Sequence, residues 1–386
     1  MQANPLWIQH PLAAFSGKSQ SSSHVANGIV IDNGVITECL SEGQSPAVEN
    51  YDVFDARQHV LMPGLINTHH HFYQTLTRAC PPALNKKLFP WLQTLYPIWA
   101  GLQPEQHRVA TELAMVELLL SGCTTVSDHH YLFPQSLNNA IDTQVETART
   151  LGMRATFTRG SMSLGQEQGG LPPQSVVQSE QTILDDSERL IKQYHLKDEL
   201  IEIALAPCSP FSVTTELMQA SADLADQHHV NLHTHLAETE DENNFCLNMF
   251  GMRPLDYLES VGWMHERTWL AHGIHFNEDE IKRLGKAKIG ITHCPSSNMV
   301  LASGICRINE LKAAGVRLGL GVDGSASNDH SNLMQEVRQA LLIQRLRYEA
   351  DEFTHEDALE LATSGSASVL NRHDIGELAV GKKADI

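Results

Sequence analysis

From residue 59 onward, short apolar runs rich in β-branched residues alternate with stretches whose apolar positions recur at helical spacing. Such alternation predicts strands that are each followed by a helix, and therefore a parallel sheet. Strands are expected at 61–67, 124–128, 154–158, 201–206, 230–235, 268–272, 289–293 and 317–322. Helices are expected between them, for example at 105–120, 214–227, 278–285 and 332–348. Eight strands is the number that closes a (β/α)8 TIM-like barrel, an α/β fold. A doubly wound open sheet is the alternative, but no glycine-rich phosphate loop follows the first strand. Residues 5–60 read as β, with an Asn33-Gly34 pair between apolar runs that signals a hairpin. The expected division is a small β domain over 1–58, a barrel over 59–374 and the start of a returning β segment over 375–386.

Two connections exceed ordinary loop length. Residues 72–104 carry Trp91, Tyr96 and Trp99 and are expected to wall a pocket. Residues 160–173 are rich in glycine and are expected to form a lid, with a surface insertion as the alternative. Both follow strands, so in a barrel both lie on the face that bears active sites.

Polar residues with metal and acid–base chemistry gather on that same face. His69 and His71 follow the first strand and, two apart, share one side of an extended segment. His235 and Glu238 follow the fifth strand, His272 the sixth, His293 the seventh and Asp323 the eighth. The C-terminal ends of barrel strands converge, so groups far apart in sequence meet there. His69, His71, His235 and Asp323 supply three imidazoles and one carboxylate, a donor set for one Zn2+, with Fe2+ open to the same ligands. An ion held in this way acidifies water for hydrolysis at neutral pH. Glu238 is placed to move the water proton, Asp323 to ligate and accept a proton, and His272 to polarise the attacked group. His70 points away from its neighbours and reads as packing, and His233 reads as a core histidine. His129 and His130 read equally as pocket-lining or structural. Gln74, three past His71, fits one edge of a lactam or amidine ring or is a plain loop residue. Cys208, after the fourth strand, is a pocket residue or a packing one.

Charge and composition narrow the classes. Lys+Arg number 27 and Asp+Glu 46, a net charge of −19, so neither nucleic acid nor an anionic membrane is expected as a partner. No run is long and apolar enough to span a bilayer, and no signal peptide is evident. Seven cysteines without a CxxC argue against a disulfide framework and for a reducing compartment. The expectation is a cytoplasmic enzyme with a small-molecule substrate, working as a homo-oligomer. No Pro-Cys-x-x-Cys marks a cytidine-type zinc deaminase, and no Gly-x-Ser-x-Gly marks a serine hydrolase.

Pro63-Gly-Leu-Ile-Asn-Thr-His-x-His71, His235-x-x-Glu238, His272 and Asp323 resemble the metal and catalytic signature of the amidohydrolase superfamily, in its aminohydrolase (deaminase) branch. The likeness runs from about Val25 to the last residue. It implies a (β/α)8 barrel beside a β-sandwich built from both chain ends, with the C-terminal part of the sandwich expected beyond residue 386. Within the branch, His69-His-His-Phe-Tyr-Gln-Thr-Leu-Thr-Arg78, Asp128-His-His-Tyr-Leu-Phe-Pro134 and Asp323-Gly-Ser-Ala-Ser-Asn-Asp329 are similar to bacterial 8-oxoguanine deaminases. That resemblance implies zinc-dependent hydrolytic deamination of a purine-like ring, 8-oxoguanine to urate and ammonia. Isoxanthopterin, guanine and triazines are the alternative substrates. Similar guanine deaminases carry an arginine after the strand-four proline, where this chain has Cys208. Arg159 or backbone groups are therefore expected to serve the ring, together with Gln74, Cys208 and Trp99. The rival activity is amide hydrolysis or ring opening, which in similar proteins often uses a carboxylated lysine where this chain has Ala206-Pro-Cys208.

Overall fold

The computed structural model describes residues 4–18 and 22–386. The chain begins with β1 (Leu6–Gln9), β2 (Ala13–Ala14), β3 (Gly28–Asp32), β4 (Val35–Leu40), β5 (Asp52–Asp55) and β6 (Val60–Leu61). Four of these form a mixed sheet in the order β4-β3-β1-β5, while β2 pairs with β6. The β3–β4 hairpin turns at Asn33 (φ +49°) and Gly34 (φ +75°). Both residues are left-handed, the geometry that the Asn-Gly pair predicts. Residues near 384 return to this sheet, where Ala384 N donates to Gly34 O at 2.8 Å. Ile8, Val25, Ile29, Ile36 and Leu378 close a small core beneath it.

Eight further strands follow: β7 (Leu65–Asn67), β8 (Cys123–His130), β9 (Arg154–Ser161), β10 (Ile201–Pro207), β11 (Leu232–Leu236), β12 (Thr268–His272), β13 (Gly290–His293) and β14 (Arg317–Leu320). They lie side by side in sequence order, each parallel to the next. Thr68 N donates to Leu320 O at 3.0 Å and Asp323 N to His69 O at 3.0 Å, which joins β14 to β7 and closes the (β/α)8 barrel. The strands read as near-continuous apolar runs because a parallel sheet in a barrel is covered on both faces. Leu205, Leu232, Leu270 and Ile291 are all fully or almost fully buried in the core. Truncating one of them to alanine costs about 2–5 kcal/mol.

The helices differ from expectation mainly at their ends. The last one expected, 332–348, stops at Gln344, and Arg347 N and Tyr348 N both turn back to the Gln344 carbonyl. Among the described residues, no helix is long and apolar enough to cross a membrane.

Candidate active site and metal centre

His69 and His71 extend from β7, His235 sits in β11 and Asp323 follows β14. Backbone carbonyls fix which nitrogen of each imidazole carries its proton. His71 Nδ1 donates to His129 O at 2.7 Å, and His235 Nδ1 donates to Cys208 O at 2.7 Å. His69 Nδ1 meets His233 Nε2 at 2.8 Å. His233 Nδ1 is already committed to Trp269 O at 3.0 Å, so the proton between the two rings belongs to His69. A neutral imidazole protonated on Nδ1 has a bare Nε2. Three bare nitrogens therefore converge. The Nε2 atoms of His71 and His235 are 3.2 Å apart. Asp323 Oδ1 lies 3.4 Å from His69 Nε2 and 3.3 Å from His71 Nε2.

Two facing lone pairs cannot bond to each other, so the arrangement is explained by a cation between them. Ligands of a tetrahedral ion at ~2.0–2.1 Å sit about 3.3 Å from one another, which matches these spacings. Burial pushes His69 and His235 well below the ordinary histidine range, which keeps them neutral. Burial also opposes the charge on His71, but the hydrogen bond and charge of Asp323 outweigh it and raise the group. Burial opposes ionisation of Asp323 too, yet its contacts with His69 and His71 hold it well below the carboxylate range. A charged carboxylate among imidazoles is the state that a divalent ion requires.

Three turns around this centre are strained. Ala237 (φ +55°), His272 (φ +73°) and Asp323 (φ +60°) all have left-handed backbones without being glycine. Each costs about 1–3 kcal/mol and persists only where neighbours over-determine it. The buried carboxylate of Glu242 accepts from Ala237 N (3.0 Å) and Glu238 N (2.9 Å) and so clamps the first turn. His272 Nδ1 donates to Asn298 Oδ1 at 3.0 Å. That leaves His272 Nε2 facing Glu238 Oε2 at 3.4 Å and Asp323 Oδ2 at 3.8 Å. Ser303 Oγ donates to Glu238 Oε1 at 3.3 Å. Burial raises Glu238 above its ordinary value and pushes Glu242 up to about 8. Glu336 accepts from Ser296 N, Ser296 Oγ and Asn328 Nδ2, tying the segment after β13 to the one after β14.

The centre opens into a cavity roofed by Leu88, Trp91, Leu92 and Tyr96 of the helix Leu88–Trp99 and walled by Tyr131, Phe211 and Leu301. Gln74, Cys208 and Ser327 add polar atoms, and no lysine or arginine is among the lining residues. Gln74 presses so closely on Gly324 that a Cβ there would lie 1.8 Å from its Oε1.

Several expected residues stand elsewhere. Trp99 does not line the cavity: its Nε1 donates to Thr77 Oγ1 at 3.1 Å, and its ring packs on Tyr73 and Trp91 behind the roof. Arg159 points out of the barrel. Its Nε donates to Asp186 Oδ2 at 2.7 Å, and the guanidinium lies 3.7 Å over the Phe133 ring. The glycine-rich stretch 160–173 is no lid. It begins inside β9, where Gly160 passes so close that a Cβ would meet His130 O at 2.3 Å. Its later part is tied down by Ser163 N and Leu164 N to Ser212 O, and by Leu171 N to Phe211 O. His70 faces away as expected and bonds to Ser331 Oγ at 2.9 Å. Sequence reading undervalued three groups. His233 holds a metal-facing histidine rather than filling core, and His129 stacks on His235 with centroids 4.7 Å apart. Glu242, four residues past Glu238, escaped notice: it sits in the first turn of the helix Glu240–Phe250 and reaches back to the strained turn before it.

A family model for the amidohydrolase family matches residues 60–386. The chain belongs to this family. It is 62% identical over 382 residues to an 8-oxoguanine deaminase of Pseudomonas aeruginosa, covering 98% of this chain and 84% of that one. Among solved structures, an atrazine chlorohydrolase from Arthrobacter aurescens TC1 complexed with zinc superposes with a TM-score of 0.90 at 31% identity, covering 98% of this chain and 86% of that one. An adenosine deaminase from Xanthomonas campestris with bound zinc gives 0.87 at 27% identity, covering 99% and 83%. This amidohydrolase thus shares its fold with a zinc-bound chlorohydrolase and a zinc-bound deaminase.

Proposed function

We propose that this amidohydrolase deaminates 8-oxoguanine to urate and ammonia with one Zn2+ held by His69, His71, His235 and Asp323. The 62% identity to a protein of that named activity is the observation that carries the choice of substrate. The zinc in two structural relatives and the all-nitrogen and carboxylate donor set support the metal. When bound, the ion supplies the positive charge that acidifies a water molecule at neutral pH. Glu238 accepts the proton of that water, and its raised affinity for protons lets it hand the proton to the ring nitrogen beside the amine-bearing carbon. The water oxygen bonds to that carbon, and the carbon–nitrogen bond to the amine breaks. The amine leaves as ammonia with a proton relayed through Glu238 and Asp323. His272, held by Asn298, faces both carboxylates and steadies the developing charge. Gln74 and Cys208 border the ring, and the lack of a lining cation fits a free base rather than a nucleotide.

The test is ammonia release by metal-loaded protein from 8-oxoguanine, isoxanthopterin, guanine and an aminotriazine. The highest kcat/KM is expected on 8-oxoguanine, and preference for another ring would reassign the substrate. Seven unpaired cysteines fit a cytoplasmic location. A homo-oligomer belongs to the same proposal, supported by the exposed Val109, Leu113, Val116 and Leu120 along the helix Pro104–Leu120.

A further inference from the structure

Most buried polar atoms around the cavity already have a partner. Gln74 Oε1 and Tyr96 OH have none among the described residues, although Gln74 is 1% exposed and Tyr96 0%. A buried hydroxyl without a partner costs about 1–3 kcal/mol, and native proteins keep few of them. Gln74 and Tyr96 line the cavity, so a ligand there can satisfy both. Their positions differ. Gln74 sits on the turn that follows the metal-facing histidines. Tyr96 comes from the roof helix. Its ring packs on Trp99 at 5.9 Å, whereas the Tyr131 ring is the one that approaches His71, at 5.1 Å. Tyr96 therefore meets the part of the ligand farther from the metal. Around it the roof is apolar, and no lysine or arginine lines the cavity among the described residues, so the group it meets is polar and uncharged. A phenol hydroxyl pairs with such a group by donating to a carbonyl oxygen.

We propose that Tyr96 selects for an oxo-substituted distal ring, its hydroxyl donating to the carbonyl oxygen that distinguishes 8-oxoguanine from guanine. This rests on the deaminase reading above. The cost of the unsatisfied hydroxyl in the free protein is recovered when the carbonyl arrives, whereas guanine presents only a C–H at that position and recovers nothing. Discrimination of this kind comes from leaving a buried polar group unpaired with the wrong ligand.

The experiment compares Tyr96→Phe with the unaltered, metal-loaded protein on 8-oxoguanine and guanine. The kcat/KM for 8-oxoguanine is expected to fall about ten- to a hundredfold, and the ratio of 8-oxoguanine to guanine to fall at least about tenfold. An unchanged ratio, whether both values fall together or neither does, overturns the assignment. Because the substitution removes an unpaired oxygen, the ligand-free variant is expected to melt no lower than the parent. Equilibrium binding of urate, which carries the same carbonyl, decides the point without turnover. The variant should bind urate about tenfold or more weakly, and equal affinity overturns the proposal. Failure of the unaltered protein to release ammonia from any purine would instead remove the deaminase reading and leave the binding comparison to judge Tyr96.

Discussion

His233 is the most direct place to perturb the metal centre without touching a ligand. Its side chain is fully buried and makes two hydrogen bonds, accepting from His69 Nδ1 at 2.8 Å and donating to Trp269 O at 3.0 Å. Its ring stacks on Trp269 with centroids 4.3 Å apart and planes 15° from parallel. His233→Phe keeps a ring for that stacking and removes both nitrogens. His69 Nδ1–H is then buried without an acceptor, a cost of about 1–3 kcal/mol. The His69 ring also loses the bond that fixes its tautomer and angle. Partners of this kind are worth about 10–100-fold in metal affinity, or ~1.4–2.7 kcal/mol. Zn2+ affinity is to be measured by competition with a chromophoric chelator at neutral pH, with circular dichroism to confirm folding. The dissociation constant is expected to rise about 10–100-fold. A folded variant whose constant stays within about twofold of the parent would refute the view that His233 orients His69.

Three further outcomes are expected. Glu238→Gln should bind the metal as the parent does while ammonia release falls by about 10²-fold or more, since proton transfer by a positioned group contributes about 10²–10⁴; retained turnover would remove its role. Glu242→Ala leaves Ala237 N and Glu238 N buried and unpaired, and denaturant unfolding should show a loss of about 2–4 kcal/mol together with a lower kcat. Burial pushes the Glu336 carboxyl from 4.5 up to about 7. Ionising it is therefore harder in the folded chain than in the unfolded one. Its contribution is full below pH 4.5 and is lost as pH rises to about 7, by about 3 kcal/mol. Glu336→Gln should flatten the stability profile of metal-saturated protein across that window, and an unchanged slope would contradict the assignment.

The barrel was legible because each strand is an apolar run that stops at a polar residue, as at His235, His272 and Asp323. Those stops lie at strand ends in the structure, so topology alone collects them. What escaped the sequence depends on neighbours across the barrel. His233 looked like core filling because its partner, His69, lies 164 residues away. Arg159 looked available to a ligand, yet alternation along β9 decides otherwise. It pairs with His130, while Thr158 pairs with His129, whose ring stacks on His235 inside the barrel. One residue past that inward pair, Arg159 faces the opposite side and reaches outward to Asp186. Trp99 shares a helix with Trp91 and Tyr96, but it lies past the end of the cavity that they roof. The glycines at 160 and 165 suggested mobility. In the structure Gly160 answers a close approach of strands instead.

The central claim is a one-metal deamination of 8-oxoguanine, and it is tested most directly by product stoichiometry. Protein of measured zinc content is incubated with 8-oxoguanine, and ammonia and urate are quantified together. Equal amounts of the two products are predicted, with turnover proportional to zinc up to one ion per chain, lost on chelation and restored by Zn2+. Zinc-saturated protein that forms neither product, or that releases ammonia without urate, would contradict the account.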